Sequence, residues 1–524
     1  MVRGYAASLR WALAHGRLVL LSLAVTIGLN AYLYGVIPKG FFPDQDTGQL
    51  IGVFRVDQGT SFTAMLPRME TFRSVILADP AVESMVGFAG GRGGSNTSFM
   101  LIQLKPISVR GVSANDVVNR LRGRLSGQAG ARMFLIPQQD LRAGGRQTAG
   151  TYEYTLMASE LSTLRTWMPR VQRALASLPE LTDVDTETQE RGRQVNLIID
   201  RDAATRMGVD MAMISAVLNN SFSQRQVSVM YGPLNQYNVV LTVAPQFARD
   251  AESLRKVDVV TADGARVPLA AFTRIEVGTA PLSVSHQGLF VADTVSFSLA
   301  QGVSLGQASQ AIEQAVARIN LPTDQVQAGF QGTAAQLQST LARQPWLILA
   351  AMLTMYIVLG ILYENYVHPL TILSTLPSAG IGALLALQLV GKPFTVIALI
   401  GVFLLIGIVK KNAIMMVDFA LDAQRRRSLS PRDAIYEACL IRFRPIMMTT
   451  MAAMLGAFPL VLAIGAGAEI RQPLGYTIVG GLLLSQVLTL YTVPVVYLYL
   501  DRLSQASRRG WQRLRHGRRA VRQP

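Results

Sequence analysis

Six stretches of the chain are apolar over roughly twenty residues: 18–37, 346–363, 370–390, 395–419, 445–464 and 474–500. A helix rises about 1.5 Å per residue, so about twenty such residues match a hydrocarbon core of about 30 Å. Each stretch therefore reads as a membrane helix. The last contains Pro494, and its outer turn is expected beyond the bilayer. The first is followed by no small-residue cleavage site, so it reads as a retained span and not as a signal peptide. Between the first two spans lies a polar region too long for an ordinary loop.

That region alternates strand and helix patterns. "QLIGVFRV" alternates as a half-buried strand does. "SFTAMLPRMETFRSVILAD" has helical spacing, opens on Ser61 and is stopped by Asp79-Pro80. "ESMVGF" and "SFMLIQLKP" read as strands, "SANDVVNRLRGRLSG" as a capped helix and "ARMFLIP" as a strand, giving a βαββαβ order. The order starts again at "TYEYTLMAS", passes through the helix "LSTLRTWMPRVQRALASLP" to "QVNLIID", and resumes after a break with "TVSFSLA" and "SLGQASQAIEQAVARI". The break holds the helix "DMAMISAVLNNSF" and the hairpin "VSVMYGPLNQYNVVLTV".

The expected fold is thus a multi-pass α-helical membrane protein with a large α+β portion. In order come a cytoplasmic segment (1–17), the first span (18–37), a first α+β unit (38–149), a second unit (150–200 and 280–344) interrupted by an insert (201–279), a five-helix membrane region (345–500) and a basic tail (501–524).

Composition agrees: half of the 524 residues are hydrophobic and 16% are charged. The net charge of +16 matters through its placement. Arg3, Arg10 and Arg17 precede the first span, Arg425, Arg426, Arg427, Arg432, Arg442 and Arg444 lie between the fourth and fifth, and the tail is arginine-rich. The opposite links carry only Lys392 and Arg471. The positive-inside rule places both termini in the cytoplasm and the large portion outside. The basic tail reads as a topology and anionic-lipid element, not a nucleic-acid binder. A single cysteine, Cys439, excludes an intrachain disulfide framework, and the four histidines show no metal-site spacing.

One span carries an anomaly. Within "GIVKKNAIMMVDFALDAQRRR", Lys410, Lys411 and Asn412 sit at membrane depth. An ammonium there costs about 2.5 kcal/mol or more unless a carboxylate meets it or it loses its proton. No Asp or Glu occupies a comparable depth in the six spans; Asp418 lies two turns on, where it reads as a partner for Arg425–Arg427, and Glu364 sits at a boundary.

Taken together, "GFFPDQDTGQL", "GFAGGRGGSNTSFMLIQLKP", "QVNLIIDRDAATRMGVD", "LYENYVHPLTIL", "GIVKKNAIMMVDFA", "RFRPIMMTT" and "GAGAEIRQPLGYTIVGGLLLSQVLTLYTVPVVYLYLDR" resemble the resistance–nodulation–division superfamily. The resemblance is strongest to hydrophobe/amphiphile multidrug efflux pumps of Gram-negative inner membranes, in particular the MdtB/MdtC-like branch. It covers nearly the whole chain, but only the second half of such a pump: spans seven to twelve with the second periplasmic loop. It implies two porter-like units and a docking-like insert. It also implies a proton-driven export function, a trimer of one or two chain types, a periplasmic adaptor, an outer-membrane channel and an N-terminal half bearing an acidic pair.

By the same resemblance Lys411, Thr449 and Arg442 form a proton relay, with the aspartates supplied by the absent fourth span. A threonine in a membrane helix otherwise bonds its own backbone, and Arg442 alone would serve as a cytoplasmic anchor. The glycine-rich run Gly87, Phe88, Ala89, Gly90, Gly91, Arg92 and Gly93 resembles the loop between two substrate pockets, with Phe88 as its ring. No lysine-serine pair follows it and it opens no helix, which argues against a phosphate cradle or a dinucleotide site. The methionines in the spans read as packing, and Met85 and Met100 alone do not make a metal path. No G-x-S-x-G, H-E-x-x-H or Cys–His pattern points to an enzyme, and no cofactor is expected. A truncated non-transporting remnant and a membrane-anchored scaffold subunit remain open alternatives.

Overall fold

The structure, a computed structural model, describes residues 2–520 apart from 91–95, 129, 142, 146, 147, 187–191, 249, 282 and 466, and the side chains of 504–520 are not described. A short helix α1 (Val2–Ala14) leads into the first membrane helix α2 (Gly16–Val36).

The first α+β unit follows: β1 (Gln49–Val56), α3 (Phe62–Leu77), β2 (Val82–Ala89), β3 (Thr97–Leu104), α4 (Ala114–Leu125) and β4 (Ala131–Pro137). Its antiparallel sheet runs β2-β3-β1-β4. The helices start where the sequence supplies acceptors for their free N–H groups. Ser61 accepts from Ala64 N, and Ser113 forms a reciprocal capping box with Asp116. One sheet face and both helices enclose Leu50, Phe54, Phe72, Ile76, Met100 and Leu121.

The second unit repeats this order. It has β5 (Tyr152–Ala158), α5 (Leu161–Ala176) and β6 (Leu181–Thr186) before the insert. The insert contains β7 (Gly192–Ile199), α6 (Met211–Phe222), a hairpin of β8 (Arg225–Tyr231) and β9 (Gln236–Leu241), and β10 (Thr273–Ala280). After it come β11 (Phe290–Leu299), α7 (Leu305–Ile319) and β12 (Val326–Gln331). The sheet runs β6-β11-β5-β12, the same 2-3-1-4 order as in the first unit.

The expected boundaries at 200/201 and 279/280 are corrected here. "QVNLIID" is not the second strand of this unit; it forms most of β7 and pairs with β10. Leu197 and Ile199 pack on Ala204, Val209, Ile214 and Phe272, so the insert spans 192–280 with its own core. The true second strand, "LTDVDT", has few apolar residues because its acids serve the neighbouring unit. Arg122 grips Asp183 through Nε (3.0 Å) and Nη2 (2.5 Å), and Arg55 pairs with Asp185, so the two units are joined by ion pairs.

The remaining spans are α8 (Gly332–Tyr363), the pair α9 (His368–Leu373) and α10 (Leu376–Leu389), α11 (Val396–Arg427), α12 (Pro431–Val461) and α13 (Ala468–Ala520, apolar to Leu503). All six apolar stretches are thus helical. Without a hydrophobic drive between helices in lipid, close approach of small residues holds them. A methyl on Gly382 of α10 would strike the Gly480 carbonyl of α13 and lie 2.9 Å from Gly481 Cα. At the other end α1 packs on α12 and α13, with Tyr5 stacked on Phe443 at 4.6 Å between ring centroids.

Candidate functional site

Helix α11 opens on Thr395, whose hydroxyl accepts from Ala398 N at 3.4 Å. At 32 residues it is about 48 Å long, more than the bilayer needs, and Lys411 is its sixteenth residue. Lys411 therefore sits at the middle of the helix.

The two faces of α11 differ. Leu405, Val409, Asn412, Ala413, Met416 and Ala420 are buried against the neighbouring helices. Ile400, Leu404, Gly407, Lys411, Asp418 and Asp422 are exposed, at spacings of three, four and seven that keep one stripe of a helix. Lys411 thus lies on an uncovered face and makes no ion pair among the described residues. Asp418 shares the stripe but lies about 10 Å along the axis. The expectation that it pairs with Arg425–Arg427 is corrected: Arg426 takes Asp422 at 2.6 Å and Arg427 takes Glu437 at 2.7 Å.

Helix α12 brings the second group alongside. Asn412 Nδ2 donates to Thr450 Oγ1 at 3.0 Å, so Lys411 and Thr449, each one residue earlier, lie at one level of adjoining helices. Thr449 is exposed and donates to Ile446 O at 3.2 Å, its own backbone. Arg442 sits two turns further toward the Arg-rich end. Its guanidinium lies 5.2 Å from the centroid of the Phe419 ring, and its buried Nε has no hydrogen-bond partner among the described residues. The structure gathers Lys411 and Thr449 at one level and leaves Arg442 apart.

Sequence reading singled out neither Thr450 nor Gln486. Gln486 of α13 is buried, with Oε1 3.4 Å from Asn412 Nδ2 and Nε2 3.2 Å from Met447 Sδ. The available signal was a glutamine inside an apolar span.

In the glycine-rich run, Gly87, Phe88 and Ala89 are not loop residues. They end β2, where Phe88 pairs with Phe99 and Ala89 with Ser98, and Ser98 Oγ donates to Phe88 O at 2.8 Å. The ladder overrides the glycines because Ser98 adds a side-chain tie. Phe88 is 64% exposed at the strand end, and Gly90 has a φ of +83°, which favours glycine. Gly91, Arg92 and Gly93 lie outside the described residues. Met100 is core, 1% exposed.

The arrangement has counterparts in known proteins. Residues 1–501 match the AcrB/AcrD/AcrF family. The chain is 55% identical over 513 residues to "Multidrug resistance protein MdtC" of Yersinia enterocolitica serotype O:8 / biotype 1B (strain NCTC 13174 / 8081), covering 98% of this chain and 50% of that protein. It is 55% identical over 508 residues to the same-named protein of Serratia proteamaculans (strain 568), covering 97% and 49%. The chain spans about half the length of the curated relatives it matches. In fold it is similar to the crystal structure of a heavy metal efflux pump, at TM-score 0.84 and 24% identity, over 96% of this chain and 52% of that one. With its six membrane helices and paired α+β units, the chain belongs to the AcrB/AcrD/AcrF family of resistance–nodulation–division proteins.

Proposed function

We propose that this chain is the C-terminal half of a proton-driven multidrug exporter of the inner membrane, with both termini cytoplasmic and the α+β portion periplasmic. The observation that carries the reading is Lys411: a lysine at the middle of a membrane helix, on an uncovered face beside Thr449, with no ion pair among the described residues. A charge held there requires an opposite one. An acid-bearing helix of an N-terminal half, laid along the stripe from Ile400 to Asp422, supplies it. Protonation of that acid breaks the pair and deprotonation remakes it, a two-state element of the kind coupled transport needs. Arg442 stands on the cytoplasmic route of the proton. The two α+β units act as porter units, the insert as the docking unit, and Phe88 with Gly90 to Gly93 as the substrate-side element. The pump assembles as a homomeric or mixed trimer with a periplasmic adaptor and an outer-membrane channel.

The test is drug accumulation in a pump-deleted host carrying this chain with and without an N-terminal half that contains an acidic pair. Export is expected only with both, and Lys411→Met is expected to abolish it at unchanged membrane levels. Undiminished export by Lys411→Met overturns the relay.

A further inference from the structure

Asn412, Thr450 and Gln486 come from three different helices, α11, α12 and α13, and all three are at most 6% exposed. Each is a polar group that hydrocarbon packing alone would not select. Their bonds run across the helices: Asn412 Nδ2 to Thr450 Oγ1 at 3.0 Å, Asn412 Nδ2 near Gln486 Oε1 at 3.4 Å, and Gln486 Nε2 to Met447 Sδ at 3.2 Å. In this arrangement the Gln486 amide turns its nitrogen to Met447 Sδ and its oxygen to the Asn412 nitrogen.

We infer that this three-helix cluster is a rotational lock, and that Asn412, Thr450 and Gln486 are positioning residues for Lys411 and Thr449. The inference rests on the relay reading. Adjacent residues on a helix point about 100° apart. Fixing Asn412 toward Thr450 and Gln486 therefore turns Lys411 to the uncovered stripe. The same bond turns Thr449 out beside it, since Thr450 faces inward. Small-residue packing sets the rotation of α11 toward its start, where Gly401 meets Thr477 and Leu405 meets Gly481; eleven residues past Gly401 the polar cluster adds directional bonds beside Lys411. Hydrogen bonds are directional and their loss in hydrocarbon leaves unpaired groups, so they specify one rotation. The relay groups themselves touch the arriving acid; the lock acts only through them.

The experiment uses the assembled pump, this chain together with its N-terminal half. Thr450→Val removes the hydroxyl at constant shape, and Thr450→Ser keeps it. Thr450→Val and Asn412→Leu are expected to lower the maximal rate of drug-linked proton flux about tenfold or more with the drug KM unchanged, because the cluster lies in the membrane helices and the proposed substrate-side element, at Phe88, in the first α+β unit. Thr450→Ser should stay within about twofold. A Lys411→Cys reporter gives the geometry directly, since the only native cysteine, Cys439, is buried: adding Thr450→Val should slow its labelling by a membrane-permeant thiol reagent at least threefold, or speed it by as much. Equal losses in Thr450→Val and Thr450→Ser, a raised KM at an unchanged rate, or unaltered labelling overturns the lock. If Lys411→Met itself keeps full flux, the relay reading fails, whereas loss in Lys411→Met with normal Thr450→Val and Asn412→Leu sinks the lock alone.

Discussion

Tyr5 donates its hydroxyl to Leu490 O at 3.0 Å, across the boundary between α1 and α13. In a helix that carbonyl would accept from the N–H of residue 494, but residue 494 is proline and has none. The N-terminal helix thus fills a gap in the last span. Tyr5 is 5% exposed, and burial raises its pKa, so it stays a donor at any physiological pH.

Tyr5→Phe should leave the Leu490 carbonyl buried and unpaired, at about 1–3 kcal/mol. Thermal unfolding of the detergent-solubilised chain measures it. In a Pro494→Ala background the helical N–H returns, and Tyr5→Phe should then cost less than half as much. Equal costs in both backgrounds would show that ring packing on Phe443, not the hydroxyl, matters.

The first α+β unit carries a pH-sensitive tie. Asp79 follows α3 and has no exposed side-chain surface; it accepts from Arg120 at 2.8 and 2.6 Å and from Ala81 N at 3.0 Å, with Arg124 at 3.6 Å. Burial raises its pKa, but the Arg120 and Ala81 hydrogen bonds and the two arginine charges outweigh burial and hold it below the usual value. A depressed folded pKa contributes stability that is present above the unfolded value, about 3.9, and is lost as pH falls through the folded one. The unit should therefore lose stability only below about pH 4 through this group. Asp79→Ala should cost about 1–3 kcal/mol at pH 7, since the arginines it leaves are partly exposed, and flatten that acid limb. Unfolding midpoints between pH 7 and pH 3 test both statements, and an acid limb as steep in the variant as in the parent would refute them.

The sequence made some levels legible and hid others for physical reasons. The membrane helices were plain because hydrocarbon thickness demands long apolar runs. The first unit was plain because its strands alternate and Ser61 and Ser113 cap its helices. The second strand of the second unit was not, because β6 spends Asp183 and Asp185 on arginines of another unit and so lacks the apolar signature of a strand. Lys411 was visible as a charge in an apolar run. Thr450 and Gln486 were not, since their meaning lies in contacts between residues 38 and 74 positions from Asn412.

Two glycines contrast packing within this chain with the uncovered stripe of α11. Gly382 has the backbone of α13 against it, and a side chain there must push the helices apart. Gly382→Val should cost several kcal/mol, above the range of about 1–3 kcal/mol typical for overpacking, because backbone and not a flexible side chain is in the way. Gly407 is one turn from Lys411 on the uncovered stripe, with nothing within 4 Å of an added Cβ. Leucine is also the better helix former, by up to about 1 kcal/mol. Gly407→Leu should therefore leave the melting temperature of the isolated chain unchanged or slightly raised. If the stripe receives a helix of the N-terminal half, the same substitution fills the groove and should cut co-purification of that half at least tenfold, with Gly4→Leu, at an exposed position of α1 with equally open space, as the control. Full co-purification with Gly407→Leu would mean that no helix of that half lies along this stripe.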